Sequence, residues 1–156
     1  MAKYKQRISD RILKRKVLGK GAVLIEGPKW CGKTTTAKQL AKSVLDLGDS
    51  SVLKQSAQLI ELSPKTLLEG KTPRLIDEWQ ALPLIWDSIR SEVDNRGEPS
   101  QFILTGSSVL PEADETIHSG TGRFAYIKMR PMSLYESGES NGTVSLTDLF
   151  EGKPFD

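Results

Sequence analysis

Apolar residues along this chain fall into two alternating patterns, short continuous runs and longer stripes at helical spacing. Ala22-Val23-Leu24-Ile25 is a continuous run that suits a strand covered on both faces. Before it, Ile8, Ile12 or Leu13, and Val17 recur at helical spacing; Ser9 is the expected cap, and Gly19 and Gly21 end the helix just past Leu18. After a glycine-rich stretch, the pattern from Lys33 to about Leu47 predicts a second helix. Ala37, Leu40, Ala41, Val44 and Leu45 lie on one side of it, and Gly48 stops it. Residues 51–57 read as a second strand and 62–69 as a short helix with Pro64 in its first turn. Arg74-Leu75-Ile76-Asp77 is a third strand ending on acids. Residues 82–95 form an amphipathic helix stopped by Arg96-Gly97, 101–105 a fourth strand, 120–122 a turn and 124–129 a fifth strand. Strands alternating with helices imply an α/β fold, a mainly parallel sheet with helices on both faces.

At 156 residues the chain is the size of one ordinary domain, and its 37% hydrophobic and 27% charged content is that of a globular protein. No apolar run is long enough to cross a bilayer, so no membrane partner is expected. The basic N-terminus lacks the apolar stretch of a secretory signal, and Cys31 is the single cysteine, which excludes an internal disulfide and a cysteine zinc site. These features predict a cytoplasmic location. Residues 1–20 carry eight Lys/Arg against Asp10 alone, a local charge of +7 in a chain of net charge +2. Such an arm could touch nucleic acid or an acidic partner. The plainer reading is a helix with a solvated basic face, and no series of aromatic stacking residues is interleaved as on a nucleic-acid surface.

Gly27-Pro28-Lys29-Trp30-Cys31-Gly32-Lys33-Thr34 has the pattern Gly, four residues, Gly-Lys-Thr, between an apolar strand and a helix. Glycines let successive N–H groups turn toward phosphate oxygens, and the start of the next helix adds the positive end of its dipole. Lys33 supplies a point charge to the β- and γ-phosphates, and Thr34 a hydroxyl to Mg²⁺. The expected phosphate-binding set is therefore Gly27, Pro28, Lys29, Trp30, Cys31, Gly32, Lys33, Thr34 and Thr35, with a nucleoside triphosphate and Mg²⁺ as ligands. Trp30 and Cys31 are read as space-filling, and alkylation of Cys31 is expected to place bulk where phosphate sits. A plain turn between strand and helix is the alternative.

Asp77-Glu78 puts two carboxylates at the end of an apolar strand, where open α/β sheets bind ligands. Asp77 is the expected Mg²⁺-shell residue and Glu78 the group that orients or deprotonates the attacking water; solvated acids closing a strand are the alternative. In Thr105-Gly106-Ser107-Ser108, Ser107 is the first choice and Thr105 the reserve for sensing the γ-phosphate, against ordinary turn residues. Arg123 is either a catalytic charge, acting in its own subunit or a neighbour's, or a surface arginine. His118, the single histidine, has no visible partner and reads as a solvated loop residue.

Four stretches, GPKWCGKTTTAKQLA, LIDEWQALP, FILTGSS and GRFAYIKMRPMSLYE, resemble the AAA-like P-loop ATPases found in bacteria and archaea with a C-terminal domain of unknown function. The likeness spans roughly residues 7–136. It implies a P-loop NTPase fold, a three-layer α/β/α arrangement around five strands in the order 5-1-4-3-2. It also implies Asp77-Glu78 as the Walker B pair, Ser107 at the sensor position and Arg123 as a candidate catalytic arginine. Lys29 stands where relatives commonly have arginine. Relatives are longer, so residues 1–136 read as the ATPase domain and 137–156 as a tail or linker toward a C-terminal domain or partner protein. No helical lid of the kind used by remodelling motors is visible.

The resemblance and the residues together predict an ATP-dependent switch or slow ATPase. A small-molecule kinase would need an arginine-bearing lid, and a GTPase would need Asp-x-x-Gly and Asn/Thr-Lys-x-Asp motifs that the chain lacks. A nucleotide-responsive binding module with negligible hydrolysis is the non-enzyme alternative.

Overall fold

The computed structural model describes residues 4–107 and 122–153. Helix α1 (Ile8–Gly19) leads into strand β1 (Ala22–Glu26), followed by α2 (Lys33–Lys38), β2 (Ser43–Asp46), α3 (Ser50–Leu62) and α4 (Pro64–Leu68). Strand β3 (Arg74–Asp77) then precedes a 3₁₀ turn at Trp79–Ala81, α5 (Ile85–Arg96), β4 (Phe102–Gly106) and β5 (Phe124–Lys128), and two short helices follow, α6 (Leu134–Ser137) and α7 (Leu146–Phe150). The five strands form one sheet in the order β2-β3-β4-β1-β5, every pairing parallel. This is the α/β class that the sequence pattern predicts and the strand order that the family resemblance implies.

Alternation along the strands divides the core into two layers. Ala22, Leu24, Ile76, Phe102 and Leu104 point to one face, where they meet Ile60, Ile85, Trp86 and Ile89 from the helices. Val23, Ile25, Leu75, Ile103 and Ile127 point to the other and meet Leu13 and Val17 of α1 and Ala37 of α2. Trp86 stacks on Phe124 at 4.3 Å and tilts against Trp79 at 5.1 Å, so the acid-bearing end of β3 is continued by well-packed aromatics.

Local structure between residues 33 and 62 differs from the sequence expectation. The predicted helix from Lys33 to about Leu47 ends at Lys38, and Lys42 N–H donates to Pro73 O at 2.8 Å, opening the parallel pairing of β2 with β3. Leu45 is buried while Val44 beside it is exposed, the period of a strand. Strand two is therefore residues 43–46, and the predicted strand 51–57 is helix α3. Asp49 caps α3 by accepting from Ser51 N–H at 2.8 Å and Val52 N–H at 3.2 Å. Val52, Leu53, Ser56, Leu59 and Ile60 then fall on its inner face. Neither change alters the strand order, because one strand lies between α2 and β3 in both readings.

Ser9 is not the cap of α1. Arg7 occupies that position, with its N–H donating to Asp10 Oδ2 at 2.8 Å. Ser133 and Ser145 cap α6 and α7, and α7 contains no buried residue. No helix among the described residues is long and apolar enough to cross a membrane.

Candidate functional site

The C-terminal ends of β1, β3 and β4 lie side by side, with Ile25 opposite Thr105 and Asp77 opposite Thr105 in register. The glycine-rich loop leaves β1 at this edge. A Cβ on Gly27 would lie 2.2 Å from Met129 O, so only glycine lets the loop pass so close to the chain leaving β5. Gly32 has φ +98° at the entry to α2, a conformation open to glycine. Trp30 is also left-handed, at φ 69°, which is unusual for a bulky side chain. It is 98% exposed rather than space-filling.

Lys33 is 5% exposed and donates from Nζ to Gly27 O and Pro28 O, each at 2.9 Å. It has no ion pair among the described residues. A buried cation balanced only by carbonyl dipoles is costly, and a polyanion on the loop would relieve it. Thr34 Oγ1 donates to Asp77 Oδ1 at 2.9 Å, and Thr105 Oγ1 donates to the same oxygen. Asp77 is 5% exposed and Thr105 fully buried, so Thr105 lies behind the carboxylate and orients it. Among the described residues no three His, Cys, Asp or Glu converge as a metal cage. A hydroxyl beside one carboxylate instead suits Mg²⁺, which keeps waters and takes its remaining ligands from phosphates.

Glu78 adopts φ 53°, ψ 45°, which turns its side chain from the end of β3 toward the loop. Together with Lys29, Trp30, Lys33, Thr34 and Thr35 it lines a cleft of about 440 Å³. Its Oε2 accepts from Gln80 Nε2, which also approaches Ser107 Oγ at 3.4 Å. Gln80 Oε1 and Trp79 Nε1 are buried without partners among the described residues, and both lie within 3 Å of where a Cβ on Gly106 would be. Gly106 thus leaves the room that this polar turn needs.

A second hollow of about 400 Å³, lined by Tyr4, Lys5, Thr36, Pro131 and Met132, shares Trp30, Gly32 and Thr35 with the cleft. Tyr4 Oη donates to Asp10 Oδ1 at 2.6 Å and lies 3.2 Å from Thr36 Oγ1. Burial, and next the bond to Asp10, push its pKa up to about 12.

The structure therefore brings Lys33, Thr34, Thr35, Asp77, Glu78 and, through Gln80, Ser107 to one edge. It does not bring Arg123 there. That residue precedes β5 at the opposite edge, about 16 Å away at the rise of a five-residue strand, and its guanidinium pairs with Asp94. The Cys31 thiol is buried, Sγ lying 3.8 Å from Met129 O, and the residue lines the second hollow. His118, Ser108 and the Gly120-Thr121 turn lie outside the described residues.

Two residues, Gln80 and Arg7, carry no signal in the local sequence, and Thr105 takes a place beside Asp77 that its spacing does not show. Gln80 follows the acidic pair by two positions and looks like the start of a turn. Thr105 was a reserve. Arg7 was counted with the solvated basic arm, yet it is 6% exposed. Its Nη1 donates to Cys31 O at 2.7 Å, its Nη2 to Arg130 O at 2.9 Å and its Nε to Glu136 Oε1 at 3.0 Å. The rule of charge outward on a basic helix hides such a residue.

The profile of the AAA domain family matches residues 19–138. The chain belongs to the AAA domain family. That match takes in the loop, both acids, the end of β4 and Glu136, and leaves Arg7 and Tyr4 outside it. Among solved structures, the domain is similar to a chain described as the structure of C. elegans PCH-2, at 16% identity and a TM-score of 0.45, covering 97% of this chain and 50% of that one. This AAA domain thus spans half the length of that protein. No curated protein matches it.

Burial opposes ionisation of Glu136, but hydrogen bonds from the N–H groups of Ser133 and Ile8, from Arg7 and from the Ser133 hydroxyl outweigh it, and its pKa falls from an ordinary 4.5 to about 2. A depressed carboxyl pKa stabilises the fold fully above the unfolded value, and that stabilisation fades as pH falls through the folded one. Thermal stability of the AAA domain should therefore drop between about pH 4.5 and pH 2, and Glu136→Gln should flatten that drop. Parallel melting curves in acid for both chains would refute this role of Glu136.

Proposed function

We propose that this AAA domain binds Mg-ATP across the cleft and the adjoining hollow and hydrolyses it slowly, as a switch coupled to a partner protein or further domain. One observation carries the reading: a buried lysine without an ion pair among the described residues, a Thr34–Asp77 bond and Glu78 all face one glycine-rich loop. Lys33 and the loop N–H groups hold the phosphates. Thr34 and Asp77 would hold Mg²⁺, which when bound neutralises charge on the β- and γ-phosphates. Thr105 fixes the Asp77 carboxylate. Glu78 orients the attacking water and takes its proton, and Gln80 holds Glu78 in place and reaches toward Ser107 at the γ-phosphate end. Residues 1–136 are the working unit in this reading, since Glu136 is tied to Arg7, and 137–156 link it onward. Exposed Leu146 and Phe150 on that segment, with exposed Leu134 and Tyr135 just before it, support a partner there.

The base has a place in the hollow between Tyr4, Trp30, Pro131 and Met132, beside the phosphate end. Tyr4→Ala should weaken ATP binding about tenfold, the order of one base–aromatic contact, and leave inorganic triphosphate binding unchanged. Titration of ATP, GTP and triphosphate into both chains tests the assignment. Equal loss for ATP and triphosphate would remove the base from this hollow, and tighter binding of GTP than of ATP would overturn the choice of nucleotide.

A specific observation favours one alternative, a nucleotide-responsive module with negligible hydrolysis. Arg123 lies at the far edge of the sheet, paired with Asp94, so it brings no charge to the cleft of its own chain. Phosphate release that stays at background in every mixture, beside tight ATP binding, would select this reading.

A further inference from the structure

Arg7 joins two segments that are distant from it in sequence, the loop and the stretch 130–136. Its guanidinium uses Nη1 on the loop at Cys31 O, Nη2 on the exit from β5 at Arg130 O, and Nε on Glu136 in α6. Glu136 is itself held on both oxygens, Oε1 by Ile8 N–H at 2.7 Å and Oε2 by the Ser133 N–H and hydroxyl at 2.9 Å each. The guanidinium is thus fixed from the side away from the loop. Only a planar fork with several donors meets three acceptors in three directions; a lysine ammonium has neither the spread nor the plane.

The contact with Cys31 O bears on the loop's chemistry. In a trans peptide the C=O and the following N–H point in opposite directions. With Cys31 O held on Arg7, the N–H of Gly32 is aimed away from Arg7. Gly32 lines the cleft beside Lys33, and Arg7 Nη1 stands only 3.2 Å from where a Gly32 Cβ would be.

We propose that Arg7 is a positioning residue for nucleotide: it sets the Cys31–Gly32 peptide so that the Gly32 N–H faces the phosphates, and it links that peptide to the segment 130–136. This rests on the nucleotide reading above. The linkage is reciprocal, so a latch that tightens ATP binding is itself tightened by ATP. The segment leaving the sheet then reports whether the loop is filled.

The test compares the unaltered chain with Arg7→Met, Arg7→Lys and Glu136→Gln, with Lys33→Met as the control for the nucleotide site. Arg7→Met should raise the dissociation constants of ATP and of inorganic triphosphate by the same factor, about tenfold, with the loss in affinity and not in turnover at saturating ATP. Arg7→Lys should recover part of it. ATP should slow hydrogen exchange at the amides of 130–137 in the unaltered chain but not in Arg7→Met. If Arg7→Met fails to fold, Glu136→Gln carries the test and should weaken both ligands by severalfold. A lowered melting temperature with unchanged ATP affinity would make Arg7 a structural brace only and overturn the proposal. If the unaltered chain binds ATP, Lys33→Met does not and Arg7→Met binds normally, the latch alone falls. If the unaltered chain binds no ATP, the nucleotide reading falls and takes the latch with it.

Discussion

Glu78→Gln should bind ATP at least as tightly as the unaltered domain while phosphate release falls by about 10²–10⁴-fold, the usual contribution of a positioned general base. Glutamine keeps the size of the side chain and an oxygen to accept from Gln80 Nε2, so the left-handed turn at the end of β3 has no reason to change. What it removes is the negative charge that takes a proton from water. Losing that charge near a polyanion lowers repulsion, so affinity holds or improves. Trapped nucleotide with single-turnover phosphate release reads both effects at once. Undiminished release in Glu78→Gln would exclude Glu78 as the base. Loss of binding together with release would mean that the substitution had disturbed the cleft.

Lys33→Met should weaken ATP binding by about a hundredfold, equivalent to about 3 kcal/mol and in the range of charge-assisted hydrogen bonds to phosphate. The same change should leave the ligand-free domain as stable as before, or slightly more so. Lys33 is a buried cation whose partners among the described residues are the carbonyls of Gly27 and Pro28, and an apolar side chain of similar length removes the desolvation cost. Melting curves with and without ATP separate the two effects. The ligand-free curve should stay, and the upward shift produced by ATP should vanish. A ligand-free domain that unfolds far below the original would show that Lys33 holds the loop together rather than serving a ligand. An unchanged ATP shift would place the phosphates elsewhere.

The parts of the fold that were legible are those where burial is decided by continuous apolar runs. Ala22–Glu26, Arg74–Asp77 and Phe102–Gly106 are central strands covered on both faces, and their pattern admits few alternatives. Residues 33–62 were not legible because two periods compete there. Ala37, Leu40, Ala41, Val44 and Leu45 fit a helix in spacing, but β3 would then lack a partner on its outer side, and pairing it makes 43–46 a strand. Asp49 then starts a helix that was read as extended, although its cap and its 52, 53, 56, 59, 60 spacing were present in the sequence. At the site, the loop and the acids were visible because their spacing is local. Thr105 behind Asp77, Gln80 between Glu78 and Ser107, and Arg7 beneath the loop depend on how distant segments meet, which local spacing does not encode.

The parallel pairing of β1 has one more consequence, for the order in which the molecule can be made. Its neighbours are β4 and β5, with Ala22 opposite both Phe102 and Phe124, so the strand that carries the loop waits for partners roughly eighty and a hundred residues downstream. Contacts of such long range close late in folding, after local helices and turns. Gly27 is shaped to pass Met129 O, which enters later still. A chain emerging from synthesis therefore carries the whole glycine-rich motif long before the strands on either side of it can shape a cleft.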